Sequence, residues 1–275
     1  MPDPAATLVR SHYENVGGLY RAAWGDSMHF AVFSGDEPRD EATASTERML
    51  ADEAAFGPWS SVLDVGCGTG GPALTISAYS GAHVAGVDLV PRHVERARER
   101  AAEQGLASRT SFFVADATQL PIDDAAFDHV YAIESAYHAA DKPRFYGECA
   151  RVLRRGGLFV GTDWLRRGAP GDERLLEPVR EHFAIPQLLT LEELEGQLVG
   201  AGLEPEVVED LAAHGSVGRN WEPLGARAWP RLVRASREAD AAAWQTFAAG
   251  SRALADAAAA GAFVLGHWRA RKPSG

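Results

Sequence analysis

The sequence predicts an α/β fold in which helices cover both faces of a mostly parallel β-sheet. Between residues 61 and 164, short apolar segments alternate with amphipathic or charged segments of helical length. This alternation is typical of βαβ units, whose parallel strands are buried on both faces. A glycine cluster follows the first strand, and an acidic residue stands at the end of each of the first three strands. Together they indicate a ligand site at the carboxyl edge of the sheet.

The composition limits the classes of protein to which the chain can belong. Of its 275 residues, 46% are hydrophobic and 24% are charged, which is typical of a globular domain. The net charge of −11 argues against nucleic acid and anionic membranes as partners, because both are negatively charged. Two cysteines cannot build a disulfide framework, and we expect neither a leader peptide nor a membrane span, because the sequence shows no charged-then-apolar start and no apolar run of about 20 residues. We therefore expect a cytoplasmic enzyme that acts on a small molecule, with homo-oligomerisation left open.

The first 57 residues are predicted to be helical. Pro4–Trp24 carries apolar side chains at spacings of three and four residues, which indicates an amphipathic helix. A second helix is predicted from about Glu41 to Phe56, because Gly57 and Pro58 follow it as stop signals. We interpret residues 1–57 as a candidate cap over one α/β core.

Residues 58–165 are predicted to form that core. The predicted strands are Ser61–Val65, Ala82–Val87, Thr110–Ala115, Phe127–Ile133 and Leu158–Trp164. The helices between them are predicted to end near Ser80, to span Arg92–Gln104 and to span Lys142–Leu153. The order breaks in residues 166–275, which we interpret as cap helices together with the final two strands of the core sheet. There the predicted elements are a short helix over Leu191–Ala201, a strand over Leu203–Leu211, a long helical stretch over Trp229–Ala259 and a strand over Ala262–Arg269.

The strongest local signal is the glycine loop in Val62–Pro72, which joins the first strand to a helix. Glycine is favoured there because the turn needs positive φ and a ligand approaches the backbone closely. Gly66, Gly68 and Gly71, with Asp88 further along the chain, also match the spacing of a dinucleotide site. The glycines alone therefore do not decide which ligand binds.

Three carboxylates favour S-adenosylmethionine over a dinucleotide. Asp64 precedes the glycine loop, where it would repel a diphosphate but suit the ammonium and sulfonium charges of a methionyl group. Asp88 ends the second strand, where it can bind a ribose diol. Asp116 follows the third strand and can accept a hydrogen bond from an adenine amino group.

At these residues the sequence resembles the class I S-adenosylmethionine-dependent methyltransferases. Asp64–Gly70 matches their first motif, Asp88 matches their acidic second motif, and Asp116–Pro121 is similar to their adenine-binding loop. Phe127–Ser135 resembles their fourth strand, and Val152–Gly157 resembles the turn before their fifth strand. The resemblance extends over about residues 60–165.

This resemblance implies a Rossmann-like, seven-stranded, mostly parallel sheet with helices on both faces, an N-terminal helical lid and a helical cap inserted after strand 5. The last two strands would form an antiparallel edge, for which Leu203–Leu211 and Phe263–Arg269 are the candidates. It also implies S-adenosylmethionine as cofactor. The residues that would bind it are Asp64, Gly66, Gly68, Gly70, Asp88, Leu89, His93, Asp116, Ala117 and Glu134.

The segment Tyr20–Phe30 is similar to a subgroup of sterol and tocopherol C-methyltransferases, glycine and sarcosine N-methyltransferases, and rebeccamycin-type sugar O-methyltransferases. In that subgroup the first helix folds over the cofactor and closes the substrate pocket. Aromatic residues suit this task because their flat apolar surfaces exclude water. The residues that would contact the substrate are Tyr20, Trp24, Tyr137 and Trp164.

His138, directly after the fourth strand, is the candidate general base, and Asp163, at the end of the fifth strand, is the candidate residue that orients it. Such a pair would raise the basicity of the imidazole and help an acceptor hydroxyl lose its proton. The sugar O-methyltransferases of the subgroup use a histidine and an aspartate at matching positions. The remaining histidines show no metal-ligand spacing, so no metal is expected.

Several acceptors remain open at this stage. O-methylation of a hydrophobic or glycosylated natural product is favoured, and C-methylation of an isoprenoid or prenylated ring comes second because aromatic rings stabilise carbocations. N-methylation of a glycine-type amine comes third. A nicotinamide-dependent oxidoreductase would share the glycine loop, and a cyclase that binds the cofactor without methylating is also open.

Overall fold

The computed structural model describes residues 4–220 and 229–275 of the chain. Its helices are α1 (Pro4–Trp24), α2 (Arg39–Glu53), α3 (Gly71–Ser80), α4 (Pro91–Glu103), α5 (Lys142–Val152), α6 (Asp172–His182), α7 (Leu191–Gly200), α8 (Trp229–Glu238) and α9 (Ala241–Ala259). Its strands are β1 (Ser61–Val65), β2 (His83–Asp88), β3 (Thr110–Val114), β4 (Phe127–Ile133), β5 (Leu153–Arg166), β6 (Glu204–Asp210) and β7 (Phe263–Arg271). None of these helices has both the length and the apolar character that a membrane span requires.

The seven strands form one sheet in the order β3-β2-β1-β4-β5-β7-β6. β1, β2, β3, β4 and β5 pair in parallel, and β7 pairs antiparallel with both β5 and β6. The predicted fold class is thereby confirmed. Chain order reverses between β1 and β4, and in open sheets of this kind ligands bind outside the carboxyl ends of the strands at that point.

Three predicted elements differ from the observed ones. β5 already begins at Leu153, because Leu153 pairs with Phe127 of β4. The register of the β4–β5 pairing then shifts between Phe127 and His129. The long helical stretch predicted near the C-terminus is divided into α8 and α9, since the side chain of Asp240 accepts a hydrogen bond from the N–H of Ala243 at 2.7 Å and starts a new helix. The irregular segment after β5 contains the helix α6.

The helices outside the sheet form a second apolar cluster above its carboxyl edge. α1 contributes Val16, Leu19 and Tyr20 to this cluster, where the ring of Tyr20 contacts Phe183, which follows α6, and Phe247 of α9. The amphipathic face that the sequence predicts for α1 is therefore used to pack this cluster. α1 thus lies across the edge at which the ligand site is expected.

Candidate active site

A cleft lies at the carboxyl ends of β1, β2, β3 and β4. Its floor is formed by the glycine loop after β1 and by the residues that follow the other three strands. α1 covers it with Ala6, Val9 and Tyr13, and the segment after α1 adds Asp26 and Met28. The cleft therefore collects residues from both the sheet and the N-terminal helix.

The glycine loop presents its backbone to this cleft. Gly66 and Gly68 have φ values of +85° and +51°, which disfavour any residue with a side chain. A Cβ on Gly66 would collide with the side chain of Ser135, whereas a Cβ on Gly68 would meet only the terminal methyl of Met28, at 3.6 Å. Gly68 thus leaves open space where a ligand can approach the main chain.

Asp88 holds the loop from the end of β2. Its carboxylate accepts hydrogen bonds from the N–H groups of Gly68 at 2.9 Å and Val90 at 2.8 Å, and it lies 3.2 Å from Nδ1 of His93. Burial alone would raise the pKa of Asp88, but His93 and the two N–H groups outweigh it and hold the pKa below its usual range. Asp88 is therefore an ionised acceptor inside the cleft.

The other predicted cofactor residues on β2, β3 and β4 also line the cleft, namely Leu89, His93, Asp116, Ala117 and Glu134. Asp116 is fixed by its own loop, because Oδ1 accepts hydrogen bonds from the N–H of Thr118 at 2.8 Å and from its hydroxyl at 2.7 Å. The ring of His93 is contacted by Tyr13, with 5.3 Å between the ring centroids.

The charge of the lining distinguishes between the two ligands that the glycine loop permits. Four carboxylates line the cleft, those of Asp26, Asp88, Asp116 and Glu134, and no lysine or arginine among the described residues does so. A diphosphate would be repelled there, while the sulfonium and ammonium groups of S-adenosylmethionine would be attracted. The residues present therefore fit S-adenosylmethionine.

Two of the predicted cofactor residues, Asp64 and Gly70, are not among the residues that line the cleft, and their contact with the cofactor stays a prediction. Asp64 lies inside β1 opposite Tyr131 of β4, and only 1% of it is exposed. Burial, reinforced by the carboxylates of Asp88 and Glu47, raises the pKa of Asp64 to about 8. Gly70 is needed for packing, since a Cβ there would meet that of Ala97 in α4 at 2.9 Å.

A smaller, narrow aromatic cavity adjoins the cleft. It shares Tyr13, Met28, His29 and Glu134 with the cleft. The rest of its wall consists of six aromatic side chains, Tyr20, Trp24, Phe30, Tyr137, Trp164 and Phe183. All four predicted substrate residues thus lie on this wall. The indole N–H of Trp24 is buried without a hydrogen-bond partner among the described residues.

Glu134 stands between the cleft and the aromatic cavity. Its two oxygens accept hydrogen bonds from the main-chain N–H of Phe30 at 2.7 Å and from the indole N–H of Trp164 at 2.6 Å. Its backbone has φ +49°, which is strained for a residue with a side chain and is typical of functional sites. Glu134 therefore links the segment after α1 to β5 at the boundary between the cleft and the aromatic cavity.

His138 lines the cleft from a short 3₁₀ turn, Ala136–His138, after β4. Its Nε2 lies 2.8 Å from the hydroxyl of Tyr13, and its Nδ1 lies 3.4 Å from the carbonyl of Ala184. Burial lowers the pKa of His138 to about 3, so the ring is neutral. With Nδ1–H donating to Ala184, Nε2 is the acceptor of the Tyr13 hydroxyl.

Asp163 does not orient His138, which corrects the predicted pair. Successive residues of a strand point to opposite faces, so Trp164 faces the aromatic cavity and Asp163 points away from it. There Asp163 interacts with buried Lys142. Burial raises the pKa of Asp163 to about 7 and lowers that of Lys142 to about 8.

Lys142 is a site residue that the sequence did not indicate. Its Nζ donates hydrogen bonds to the carbonyls of Ala136, Tyr137 and Ala139, each at 2.8 Å. These carbonyls belong to the turn that carries Tyr137 and His138. Because the partners are main-chain oxygens, no spacing of side chains in the sequence could have revealed this contact. Lys142, which interacts with Asp163, thus stabilises the turn Ala136–His138.

The comparisons with known proteins agree with this geometry. A family model described as a methyltransferase domain matches residues 63–161. A sterol 24-C-methyltransferase of Pneumocystis carinii is 32% identical over 216 residues, which cover 77% of this chain and 57% of that protein. The chain thus spans little more than half of that relative. The 27-O-demethylrifamycin SV methyltransferase of Amycolatopsis mediterranei is 31% identical over 99% of this chain and 100% of its own length.

Solved structures share the fold over nearly the whole chain. The [4+2]-cyclase SpnF has a TM-score of 0.81 and 25% identity, and the match covers 100% of this chain and 99% of the cyclase. The geranyl diphosphate C-methyltransferase of Streptomyces coelicolor A3(2) has a TM-score of 0.75 and 19% identity, over 99% and 100% of the two chains. At that identity the second likeness concerns the fold alone.

Proposed function

The chain belongs to the class I S-adenosylmethionine-dependent methyltransferases that act on small molecules, and we propose that it methylates a hydroxyl group of a hydrophobic natural product. When bound, S-adenosylmethionine supplies an electrophilic methyl group. Asp88, Asp116 and Glu134 would hold the cofactor, with the main chain at Gly66 and Gly68 against it. The aromatic cavity next to Glu134 would take the acceptor.

The observation that carries this proposal is that the imidazole of His138 is neutral and that its Nε2 accepts a hydrogen bond from the hydroxyl of Tyr13. An acceptor hydroxyl in the position of the Tyr13 hydroxyl would donate its proton to the same nitrogen. Burial keeps His138 unprotonated at neutral pH but also makes it a weak base, so it would orient the acceptor hydroxyl and take its proton only as the methyl group is transferred. The buried cavity wall would exclude water and align the acceptor.

The lid and the relatives support the same proposal. α1 and the segment after it cover the cleft, so residues 1–57 would act as a lid that closes over both substrates. The relative that matches over its full length is named for an O-methylation of a rifamycin. An apolar acceptor is consistent with a wall of six aromatic side chains, and the narrow space between them would have to widen to take a large one.

A second candidate is C-methylation of an isoprenoid, and the aromatic wall supports it. The rings of Phe30 and Trp164 are stacked with centroids 5.2 Å apart, and those of Tyr137 and Trp164 are 4.8 Å apart. Such faces, with the Glu134 carboxylate beside them, would stabilise a carbocation. The sterol relatives act on carbon, which is consistent with this alternative.

The test is incubation of the purified chain with S-adenosylmethionine carrying a ¹³C-methyl group. Hydroxylated macrolactams, sterols and glycine would each be offered as acceptor. We expect the label in a methoxy group, which carbon NMR distinguishes from a methyl group on carbon or nitrogen. Label found only on a sterol carbon would replace the first proposal by the second. Conversion of an acceptor without loss of label from the cofactor would favour a cyclase and contradict both.

A further inference from the structure

A cluster of two histidines and two glutamates lies outside the active site. It consists of Glu53, Glu209, His214 and His267, which we call the His–Glu cluster. Glu53 ends α2, Glu209 belongs to β6, His214 ends a 3₁₀ turn after β6, and His267 belongs to β7. None of the four lines the cleft or the aromatic cavity. The proposed function therefore does not account for them.

The side chains of the cluster face one another at short distances. Nε2 of His267 lies 2.8 Å from the carboxylate of Glu53, and its Nδ1 lies 3.3 Å from Glu209. The same oxygen of Glu209 lies 2.7 Å from Nε2 of His214. One potential ligand atom from each of Glu53, His214 and His267 lies within 4.8 Å of the other two. Three segments that are distant in the chain thus direct ligand atoms to one point.

The chemistry of these donors selects a class of metal ion. Imidazole nitrogen with carboxylate oxygen suits Zn²⁺ and similar divalent transition metals, whereas Mg²⁺ and Ca²⁺ prefer oxygen ligands alone. Zinc holds such ligands at about 2.0–2.2 Å, so ligand atoms around it lie roughly 3.3–3.5 Å apart. The observed ligand atoms lie within 4.8 Å of one another, so small side-chain rotations would bring them to that spacing.

The cluster also has a supporting carboxylate and an entry path. Glu209 lies directly across the β6–β7 pair from His267 and accepts from its Nδ1, which leaves Nε2 toward Glu53. Carboxylates that fix the second nitrogen of a histidine in this way are usual around zinc. The side chain of His267 is 1% exposed, while those of Glu53 and His214 are 19% and 31% exposed, so an ion can enter from solvent.

We propose that the His–Glu cluster binds one Zn²⁺, with Glu53, His214 and His267 as ligands and Glu209 behind His267. The ion would join the end of α2 to the β6–β7 edge of the sheet. Its role is to fix the N-terminal segment on the sheet, since it lies away from the residues that would bind the methyl donor. The alternative is a network of hydrogen bonds that needs no metal.

Zinc titration of the untagged full-length chain, after removal of metal with a chelator, separates these two possibilities. We expect one saturable equivalent of Zn²⁺ by calorimetry, and a higher melting temperature with Zn²⁺ but not with Mg²⁺. His214→Gln and Glu53→Gln, both at partly exposed positions, should each lower the zinc affinity at least tenfold. His83→Gln removes an exposed histidine outside the cluster and should bind as the unchanged chain does.

The proposal is overturned if the chain takes up no saturable equivalent, or if His214→Gln and Glu53→Gln bind zinc with unchanged affinity, which would show adventitious binding elsewhere. His267→Gln is not used, because its buried side chain risks misfolding. Zinc affinity is measured without any acceptor or methyl donor. The outcome is therefore independent of whether the chain methylates a hydroxyl.

Discussion

The hydroxyl of Tyr13 in α1 lies 2.8 Å from Nε2 of His138 in the turn after β4. The same tyrosine ring contacts His93, which lies against Asp88 of the cofactor cleft. One residue of α1 thus touches both the candidate base and a residue next to the cofactor site. The position of α1 on the core and the placement of His138 are therefore coupled.

Replacement of the candidate base gives the first prediction. We expect His138→Ala to lower kcat by about 10²–10⁴-fold, the usual contribution of a general base. The affinity for S-adenosylmethionine, measured by calorimetry in parallel, should change little because other residues hold it. A decrease in kcat of less than tenfold would show that alignment alone carries the reaction.

Tyr13→Phe keeps the aromatic ring and removes only the hydroxyl that donates to His138. We expect a higher kcat in the otherwise unchanged chain, since the acceptor hydroxyl no longer competes with the Tyr13 hydroxyl for Nε2 of His138. In the His138→Ala background the same change should have almost no further effect, because residues that act as a unit are not additive. Equal effects in both backgrounds would mean that Tyr13 acts independently of His138.

Asp88→Asn should weaken binding of S-adenosylmethionine by about 10- to 100-fold. The substitution removes the charge and places an amide where two N–H groups and His93 now meet a carboxylate. Calorimetry on the free chain measures this without an acceptor. Glu95→Gln on the exposed face of α4 is the matched control and should leave the affinity unchanged. Unchanged affinity of Asp88→Asn would remove Asp88 from the cofactor site.

Lys142→Met should lower the free energy of unfolding by about 3–5 kcal/mol, because it leaves Asp163 buried without its counter-charge and three carbonyls without their donor. Denaturant titration measures this loss. If Lys142 and Asp163 act together, Asp163→Asn should cost less in the Lys142→Met background than alone. Arg92→Met, an exposed position, is the control. A change below 1 kcal/mol would contradict the supporting role of Lys142.

The buried pair of His29 and Glu47, 3.0 Å apart, predicts a pH dependence of stability. Burial alone would lower the pKa of His29, but Glu47 outweighs it and the pKa is raised. The carboxyl pKa of Glu47 is lowered by His29 against the effect of burial. The pair should therefore stabilise fully between about pH 4.5 and 6.5, and less as the pH rises through the raised pKa of His29.

Denaturation at pH 6, 7.5 and 9 measures this dependence, with Glu47→Gln as the comparison. In that variant the histidine loses the charge that raises its pKa, so the decrease in stability above pH 6.5 should largely vanish. Parallel pH profiles of the two proteins would assign the dependence to other groups.

The residues at the strand ends were predictable because parallel strands bring their carboxyl ends to one edge. Asp88, Asp116 and Glu134 follow three such strands and line the cleft. Asp64 lies within β1 and is almost fully buried, so its place near the end of the strand does not bring it to the surface of the cleft. The predicted interaction between His138 and Asp163 is not formed, because Asp163 points to the opposite face of β5 from Trp164.

Contacts between α1 and the core could not be predicted from the sequence. Tyr13 belongs to an amphipathic stripe in which every apolar position gives the same signal, and its partner His138 is 125 residues away. The His–Glu cluster depends on the register that sets Glu209 opposite His267, and on the end of α2 reaching that edge. Such contacts follow from the packing of whole elements.

The position of β7 has a consequence for synthesis of the protein. β7 lies between β5 and β6, although it follows both in the chain. While the ribosome is still adding residues 204–262, β5 has no neighbour on that side and its N–H and C=O groups are open to other chains. At about 5–20 residues per second this interval lasts several seconds. Chaperone binding to nascent chains halted before Phe263 should therefore exceed binding to chains halted after release of Arg271.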